Sequence, residues 1–235
     1  MLVAALVLLV EALVNSDHFA VKQVEVNGNR RFSAAQVVAL SDIRQGVGTF
    51  DLDLDIIGQK LAENDWIKSA QVWRKLPQTI VIDIVEHQPL FILNLDYLYY
   101  VDGDGDIFRV LRTGDKLDLP LVSGLSRKEI LAEPQRCRQR LQTVAELLEE
   151  LKRRRVFGLG QVAQVVIGDE GRLTMYTDPY GVAVLIGRDN FAARLDRLER
   201  IYPQLQGDLN RLSYIDLTVA DKVIVKSVSK ARKKG

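Results

Sequence analysis

The alternation of apolar and polar positions predicts two groups of strands in the first part of the chain. The segment that begins at Val21 alternates as far as the turn pair Asn27-Gly28, a dipeptide typical of tight turns. The strongest strand signal is TIVIDIVEH, whose Ile80 and Ile82 lie on one apolar face. That face needs a covering layer, which the segment between the two strand regions can supply.

Two short helices are predicted between these strands. Ser33 and Gln36 have the spacing of a capping box, so the first helix begins there. Leu54, Ile57 and Leu61 share one face of the second helix. The predicted order is strand, helix, helix, strand, strand, which is an α+β module.

A second, strand-rich domain is predicted after Leu90, where FILNLDYLYYVDGDGDIFRV begins. A long helix begins at Glu133, and its apolar stripe consists of Leu141, Val144, Leu148 and Leu151. Its four terminal cations, at positions 152–155, are interpreted as a solvated end that is favoured by the helix dipole. Residues 117–125 are interpreted as a connector.

The rest of this domain is predicted to contain three strands, a helix and a terminal hairpin. The strands fall near residues 162–167, 172–177 and 181–186. The helix has apolar positions at Phe191, Leu195, Leu198 and Tyr202, and Pro203 is expected to stop it. The hairpin pairs residues 212–217 with 223–226 about Ala220-Asp221.

The run DGDGD at Asp102–Asp106 invites a calcium interpretation, because its carboxylates occupy positions one, three and five of an EF-hand-like loop. The sixth position is Ile107, where that loop needs Gly, and the twelfth is Thr113, where it needs Glu. An Asp-Gly hairpin turn is therefore the favoured interpretation.

Composition and motifs indicate a binding protein rather than a catalyst. The chain has 235 residues with 32 basic and 31 acidic side chains, so no non-specific nucleic-acid binding is expected. No metal-ligand cluster, P-loop or GxSxG motif occurs, so no catalytic residue, metal or cofactor is predicted. The single cysteine, Cys137, excludes an intramolecular disulfide; its neighbours Arg136 and Arg138 could lower its pKa, but a lone, partly exposed thiol is the favoured interpretation.

The N-terminus is predicted to be the outer end of a transmembrane helix. Thirteen of the fourteen residues from Met1 to Val14 are apolar, and Glu11 is the exception. As a helix this segment spans about 20 Å, short of the roughly 30 Å hydrocarbon core. It lacks the basic region and the cleavage motif of a signal peptide.

The run GTFDLDLDIIGQKLAENDWIKSAQVWRKLPQTIVIDIVEHQPL resembles the POTRA module of the FtsQ/DivIB cell-division family. The residues that carry the resemblance are Gly48-Thr49-Phe50, Trp66-Ile67-Lys68, Arg74, Pro77, Val85-Glu86 and Pro89. Further on, GRDNFAARLDRLERIYPQL and SYIDL are similar to the family's last helix and strand, and the similarity weakens beyond Ala220. The expected organisation is a membrane segment at 1–17, a POTRA domain at 18–89, an FtsQ-type β domain at 90–228 and a basic disordered tail at 229–235.

The resemblance implies a non-enzymatic scaffold in the inner membrane, with its body in the periplasm and concentrated at the division septum. FtsB and FtsL are the implied partners at the C-terminal strand, and other division proteins are implied partners of the POTRA domain. Strand addition is the implied mode of binding. The candidate partner-binding residues are Tyr214, Thr218, Val219, Ala220, Asp221, Lys222, Val223, Ile224, Val225 and Lys226.

Three alternatives remain open at this stage. The valines of the last strand could simply complete the core of the domain. The POTRA domain could instead carry unfolded envelope or secreted chains by strand addition at its own edge. The third alternative is a membrane-anchored envelope enzyme whose site lies in the second domain, which simultaneous loss of His87 and Cys137 would test.

Overall fold

The chain folds into two compact units that contain both helices and strands, as the α+β prediction requires. The computed structural model describes residues 3, 17–115 and 118–227. Unit 1 is Met1–His87 and unit 2 is Gln88–Gly235. The predicted membrane segment at 1–17, apart from Val3 and Asp17, lies outside the described residues, and so does the basic tail at 229–235. No helix among the residues that are described is long and apolar enough to cross a bilayer.

Unit 1 has the predicted order of strand, helix, helix, strand, strand. Its three-stranded sheet has the order β1-β3-β2, with β1 parallel and β2 antiparallel to the central β3. Two helices, α1 and α2, precede the β2-β3 hairpin. The bounds are β1 Gln23–Asn27, α1 Ala34–Ser41, α2 Leu54–Ala62, β2 Ile67–Lys75 and β3 Thr79–Glu86.

Local capping fixes where both helices of unit 1 begin. The Ser33 hydroxyl accepts the backbone N–H of Gln36, and the Gln36 side chain accepts the N–H of Ser33 in return. At α2, the Asp53 carboxylate accepts two N–H groups of the first turn. The apolar faces of both helices pack on the sheet. The shared core consists of Val21, Val37, Ile43, Ile57, Leu61, Ile67, Ile80, Ile82 and Ile84.

The Glu86 carboxylate ties the end of β3 to the loop between β1 and α1. It accepts the backbone N–H groups of Arg30, Arg31 and Phe32 at 3.1, 2.7 and 3.2 Å. The Arg31 guanidinium lies 3.5 Å from the centroid of the Trp66 ring. The loop therefore has a fixed conformation despite its exposed position.

Unit 2 is built on one mixed sheet of nine strands in the order β12-β11-β10-β9-β8-β7-β4-β5-β6. The pairs β4-β7, β7-β8 and β10-β11 are parallel, and the other pairs are antiparallel. The bounds are β4 Pro89–Asn94, β5 Leu98–Asp102, β6 Ile107–Val110, β7 Leu121–Ser123, β8 Val162–Ile167, β9 Leu173–Thr177, β10 Ala183–Gly187, β11 Leu212–Asp216 and β12 Ile224–Ser227.

Three α-helices in the described part of unit 2 accompany this sheet: α3 (Arg127–Ala132), α4 (Pro134–Lys152) and α5 (Phe191–Leu205). The predicted apolar stripes of α4 and α5 are buried, which confirms both interpretations. The helix α5 connects β10 to its parallel neighbour β11, as a crossover connection must.

Two local predictions in unit 2 are wrong. Helix α5 does not stop at Pro203 but continues to Leu205, because the buried Tyr202 and the partly buried Leu205 hold its last turn against the core. The predicted connector at 117–125 contains the strand β7, whose Val122 is fully buried between two parallel neighbours.

Arg154 is not part of a solvated helix end. Its guanidinium contacts Asp196 at 2.7 Å and Glu199 at 3.1 Å, and it donates to the Ala192 carbonyl of α5. Glu199 also accepts the N–H groups of Val156 and Phe157. The cations after α4 therefore include one that joins α4 to α5, which the helix-dipole interpretation did not predict.

Cys137 lies on α4 and is buried, with 3% of its surface exposed, so the interpretation as a partly exposed thiol is wrong. Burial raises the pKa of the Cys137 thiol, and this effect outweighs the opposing influence of Arg140 and Arg136. A raised pKa lowers the thiolate fraction at neutral pH. Cys137 is therefore not an activated nucleophile in the folded chain.

We expect Glu86→Ala to lower the free energy of unfolding of unit 1 by about 1 to 3 kcal/mol, since three N–H groups lose a charged acceptor. Denaturant titration followed by tryptophan fluorescence measures this, because Trp66 and Trp73 both lie in unit 1. Glu63→Ala removes an exposed carboxylate from the same unit and is expected to change stability by less than about 0.5 kcal/mol. Equal effects of the two changes would contradict the role given to Glu86.

We expect a maleimide to label Cys137 many-fold more slowly than a cysteine placed at the exposed Gln139 of the same helix in a Cys137→Ala background. Burial restricts access of the reagent to the Cys137 sulfur, and the raised pKa lowers the fraction of thiolate. Labelling rates in the native chain, followed by mass spectrometry, measure the difference. Similar rates for the two sites would show that the thiol is accessible.

Candidate partner-binding edge

The last strand, β12, forms one edge of the nine-stranded sheet. Within the described part of the chain it pairs with β11 alone. A strand with a neighbour on one side leaves alternate N–H and C=O groups without strand partners on the other. These groups can pair with an added strand.

Strand β12 pairs antiparallel with β11 in a defined register. Asp216 lies opposite Ile224, Ile215 opposite Val225, and Tyr214 opposite Lys226. Strand β11 is itself held parallel to β10, and its Ile215 is fully buried. The edge strand is thus attached to a part of the core that has little freedom to move.

The turn between the two strands is held by side-chain hydrogen bonds. The Asp216 carboxylate accepts the N–H of Thr218 at 2.8 Å and its hydroxyl at 2.6 Å. Arg197 of α5 donates to the carbonyls of Leu217 and Val219, both at 3.0 Å. Asp221 has a φ of 56°, the left-handed conformation that reverses the chain. The predicted hairpin about Ala220-Asp221 is confirmed.

The candidate side chains do not share one environment. Val223 is partly buried and packs against the core. Ile224 and Val225 are 43% and 36% exposed, although they point to opposite faces of the strand. The alternative in which the valines complete the core therefore holds for Val223 and does not hold for Val225.

The remaining predicted residues surround this edge. Lys226 lies beside Tyr214, with its ammonium 5.6 Å from the ring centroid. The other exposed candidates in the turn and strand are Thr218, Val219, Ala220, Asp221, Lys222 and Lys226. The structure brings all ten candidates into one hairpin and its immediate surroundings.

Two arginines of α5 extend the surface beyond the predicted residues. A groove of about 430 Å³ lies between the turn and α5, and its lining includes Arg197, Arg200, Thr218 and Asp221. Arg197 reaches the turn from about twenty positions earlier in the chain. The sequence offers no local signal for that contact, so the prediction missed it.

The DGDGD stretch forms the predicted hairpin turn between β5 and β6. The Asp102 carboxylate accepts the N–H groups of Asp104 and Asp106, each at 3.0 Å. Although the three carboxylates lie within 4.8 Å of one another, Asp106 is paired with Arg138 at 2.7 Å. These carboxylates organise the turn and anchor it to α4.

Unit 1 has an open edge of its own. Strand β2 is nine residues long and pairs with β3 alone among the described residues. A groove of about 730 Å³ lies between β2 and α2, and its lining includes Leu54, Gly58, Ala62 and Val72. This edge is a second surface at which a strand can be added.

Comparison with known proteins identifies both units. Residues 19–87 match the family model described as POTRA domain, FtsQ-type. Residues 92–218 match the model described as Cell division protein FtsQ/DivIB, C-terminal. That second match ends before β12, so most of the candidate edge lies beyond it.

Several curated proteins named Cell division protein FtsQ are similar to the chain along most of its length. The protein of Syntrophotalea carbinolica is 37% identical over 216 residues, which cover 92% of this chain and 77% of the relative. The protein of Geotalea daltonii is 36% identical, with 92% and 78% covered. The protein of Geobacter sp. strain M21 is 35% identical, with 87% and 75% covered. From these matches and from the two units described above, the chain belongs to the FtsQ/DivIB family of cell division proteins.

Proposed function

We propose that the chain is a non-enzymatic scaffold of the division machinery and that it binds FtsB and FtsL by strand addition at β12. Family membership supports the role in division. The observation that carries the finer proposal is the edge strand itself, which has a fixed register, one described neighbour and exposed apolar side chains. Through these partners the scaffold connects to septal peptidoglycan synthesis.

The proposed anchor is a single transmembrane helix in the inner membrane that includes the apolar segment Met1–Val14, with the two units in the periplasm. The sequence supports this assignment, since thirteen of these fourteen residues are apolar. In this arrangement the scaffold is held in the membrane at the septum, beside partners that are themselves membrane-anchored.

Main-chain pairing alone is too weak for this binding. A strand of four residues offers about four outward hydrogen bonds, and at about 0.5 to 1.5 kcal/mol each they contribute roughly 2 to 6 kcal/mol. A micromolar complex needs about 8 kcal/mol after all costs of association. The exposed side chains of Ile224 and Val225 must therefore supply apolar contacts as well.

Unit 1 supports the proposal that other division proteins bind through the POTRA domain. Its β2 edge and the adjoining groove offer both main-chain groups and apolar surface. The same edge favours a second candidate function, in which the domain carries unfolded envelope or secreted chains. The two functions differ in selectivity, because a carrier would bind unrelated extended apolar peptides and a scaffold would not.

Proline substitutions at adjacent positions separate partner binding from folding. Neighbouring N–H groups of a strand point to opposite sides. One of the two variants, Ile224→Pro or Val225→Pro, therefore removes an N–H that points inward to β11, and the other removes an N–H that points outward from the sheet. We expect the outward variant to bind FtsB and FtsL at least about tenfold more weakly, with an unchanged unfolding midpoint. The inward variant should lose stability.

Titration calorimetry of fragment 17–235 with the periplasmic segments of FtsB and FtsL measures the affinity, and thermal unfolding checks each variant. If both variants fold and bind as tightly as the unaltered chain, strand addition at β12 is excluded. If only the variant that unfolds loses binding, the edge is structural.

Charge placed on the exposed strand tests the side-chain contribution. We expect Val225→Asp to weaken partner binding at least about tenfold, because a carboxylate would be buried in the complex. Leu131→Asp is the matched control, since it alters an exposed apolar residue on α3. Equal affinities for the two variants in the same titration would contradict the proposed site.

A further inference from the structure

One end of unit 1 gathers exposed apolar side chains that the core does not use. Hydrogen bonds bring three segments together there: Thr49 donates to the Phe19 carbonyl at 2.8 Å, Gln78 to the Asp17 carbonyl at 3.4 Å, and Arg74 to the Thr49 carbonyl at 2.7 Å. We call the resulting surface the apolar end; it consists of Phe19, Phe50, Leu76 and Pro77.

The apolar end is exposed although its backbone is held firmly. Phe50 is 42% and Leu76 is 56% exposed. The Phe50 ring packs edge-on against Phe19, with the ring centroids 5.4 Å apart. Arg74 fixes the loop under Phe50 by donating to the carbonyls of Thr49 and Leu52. Exposed apolar side chains that neighbouring segments hold at one end of a surface in this way indicate a candidate interaction site.

The position of the apolar end in the chain indicates what it contacts. Asp17, the first residue of unit 1 in the continuous described range, follows the apolar segment Met1–Val14 by three positions, a reach of about 10 Å. Strand β3 begins at this end with Thr79 and leads away for roughly 23 Å to Glu86. The apolar end is thus the part of unit 1 closest to the proposed anchor.

Charge at this end is close to balanced. The exposed cations Lys22, Arg44 and Lys75 are accompanied by the exposed carboxylates Asp17 and Asp51 and by Glu25, which pairs with Lys75 at 2.9 Å. An anionic lipid surface would therefore gain little from electrostatic attraction. Phe50 and Leu76 instead suit the boundary between headgroups and acyl chains of a zwitterionic bilayer.

We propose that the apolar end docks unit 1 onto the outer surface of the membrane that holds the anchor. The proposal rests on the anchoring given under the proposed function. Two partly exposed apolar side chains bind a bilayer weakly, but the anchor keeps them at the surface at a high effective concentration. Docking fixes the tilt of unit 1 and hence the direction in which its open β2 edge faces.

Spin labels in the full chain, reconstituted in phosphatidylcholine vesicles, test this docking. Single cysteines replace Leu76, Val85 or Leu6 in a Cys137→Ala background, and each label's collision rates with oxygen and with an aqueous nickel chelate are compared. Val85 is the matched control, because it is an exposed apolar residue of the same sheet at the far end of β3. Tryptophan fluorescence confirms that unit 1 is folded in each variant.

We expect the ratio of the oxygen to the nickel collision rate to be several-fold higher for the label at position 76 than for the label at position 85. Phe50→Asp should lower the ratio at position 76 to the value at position 85. Equal ratios at 76 and 85, with a lipid-exposed label at position 6, would overturn the docking and leave the anchor intact. A water-exposed label at position 6 would overturn the anchor and the docking together. A ratio at 76 that Phe50→Asp leaves unchanged would overturn the assignment of Phe50 and Leu76 to one docking surface.

Discussion

The parallel pairing of β11 with β10 is the interaction on which the candidate edge depends. Because a parallel neighbour requires a crossover, the chain must leave β10, pass through α5 and return before β11 can pair. The buried stripe of α5 and its contacts with Arg154 secure that crossover. Only then can the hairpin place β12 at the open end of the sheet, so the candidate edge depends on packing far from the edge itself.

Much of this architecture follows from short-range signals in the sequence. The alternation in β3, the capping box at Ser33 and the stripe of α5 were all predicted, because each depends on side chains within a few residues of one another. The predictions failed where distant partners decide the outcome. Strand β7 exists because β4 and β8 flank it, and Arg154 is held by carboxylates some forty positions later.

At the candidate edge, too, the features that depend on nearby residues were predicted and those that depend on distant residues were not. The register sets Tyr214 beside Lys226, so these two predicted residues lie together, and their role in partner binding stays a prediction. The alternative in which the valines complete the core treated Val223 and Val225 alike. In the structure Val223 packs on the core and Val225 is exposed, because β12 begins only at Ile224. Arg197 was not predicted at all, since its contact with the turn is formed by the tertiary fold.

Amide hydrogen exchange of residues 212–227, with and without the periplasmic segments of FtsB and FtsL, tests strand addition most directly. If a partner strand adds at β12, alternate amides of β12, those that point away from β11, become protected when the partners bind, while the inward amides are protected throughout. Protection that appears only along β2 of unit 1, with β12 exchanging as in the free chain, would contradict the account.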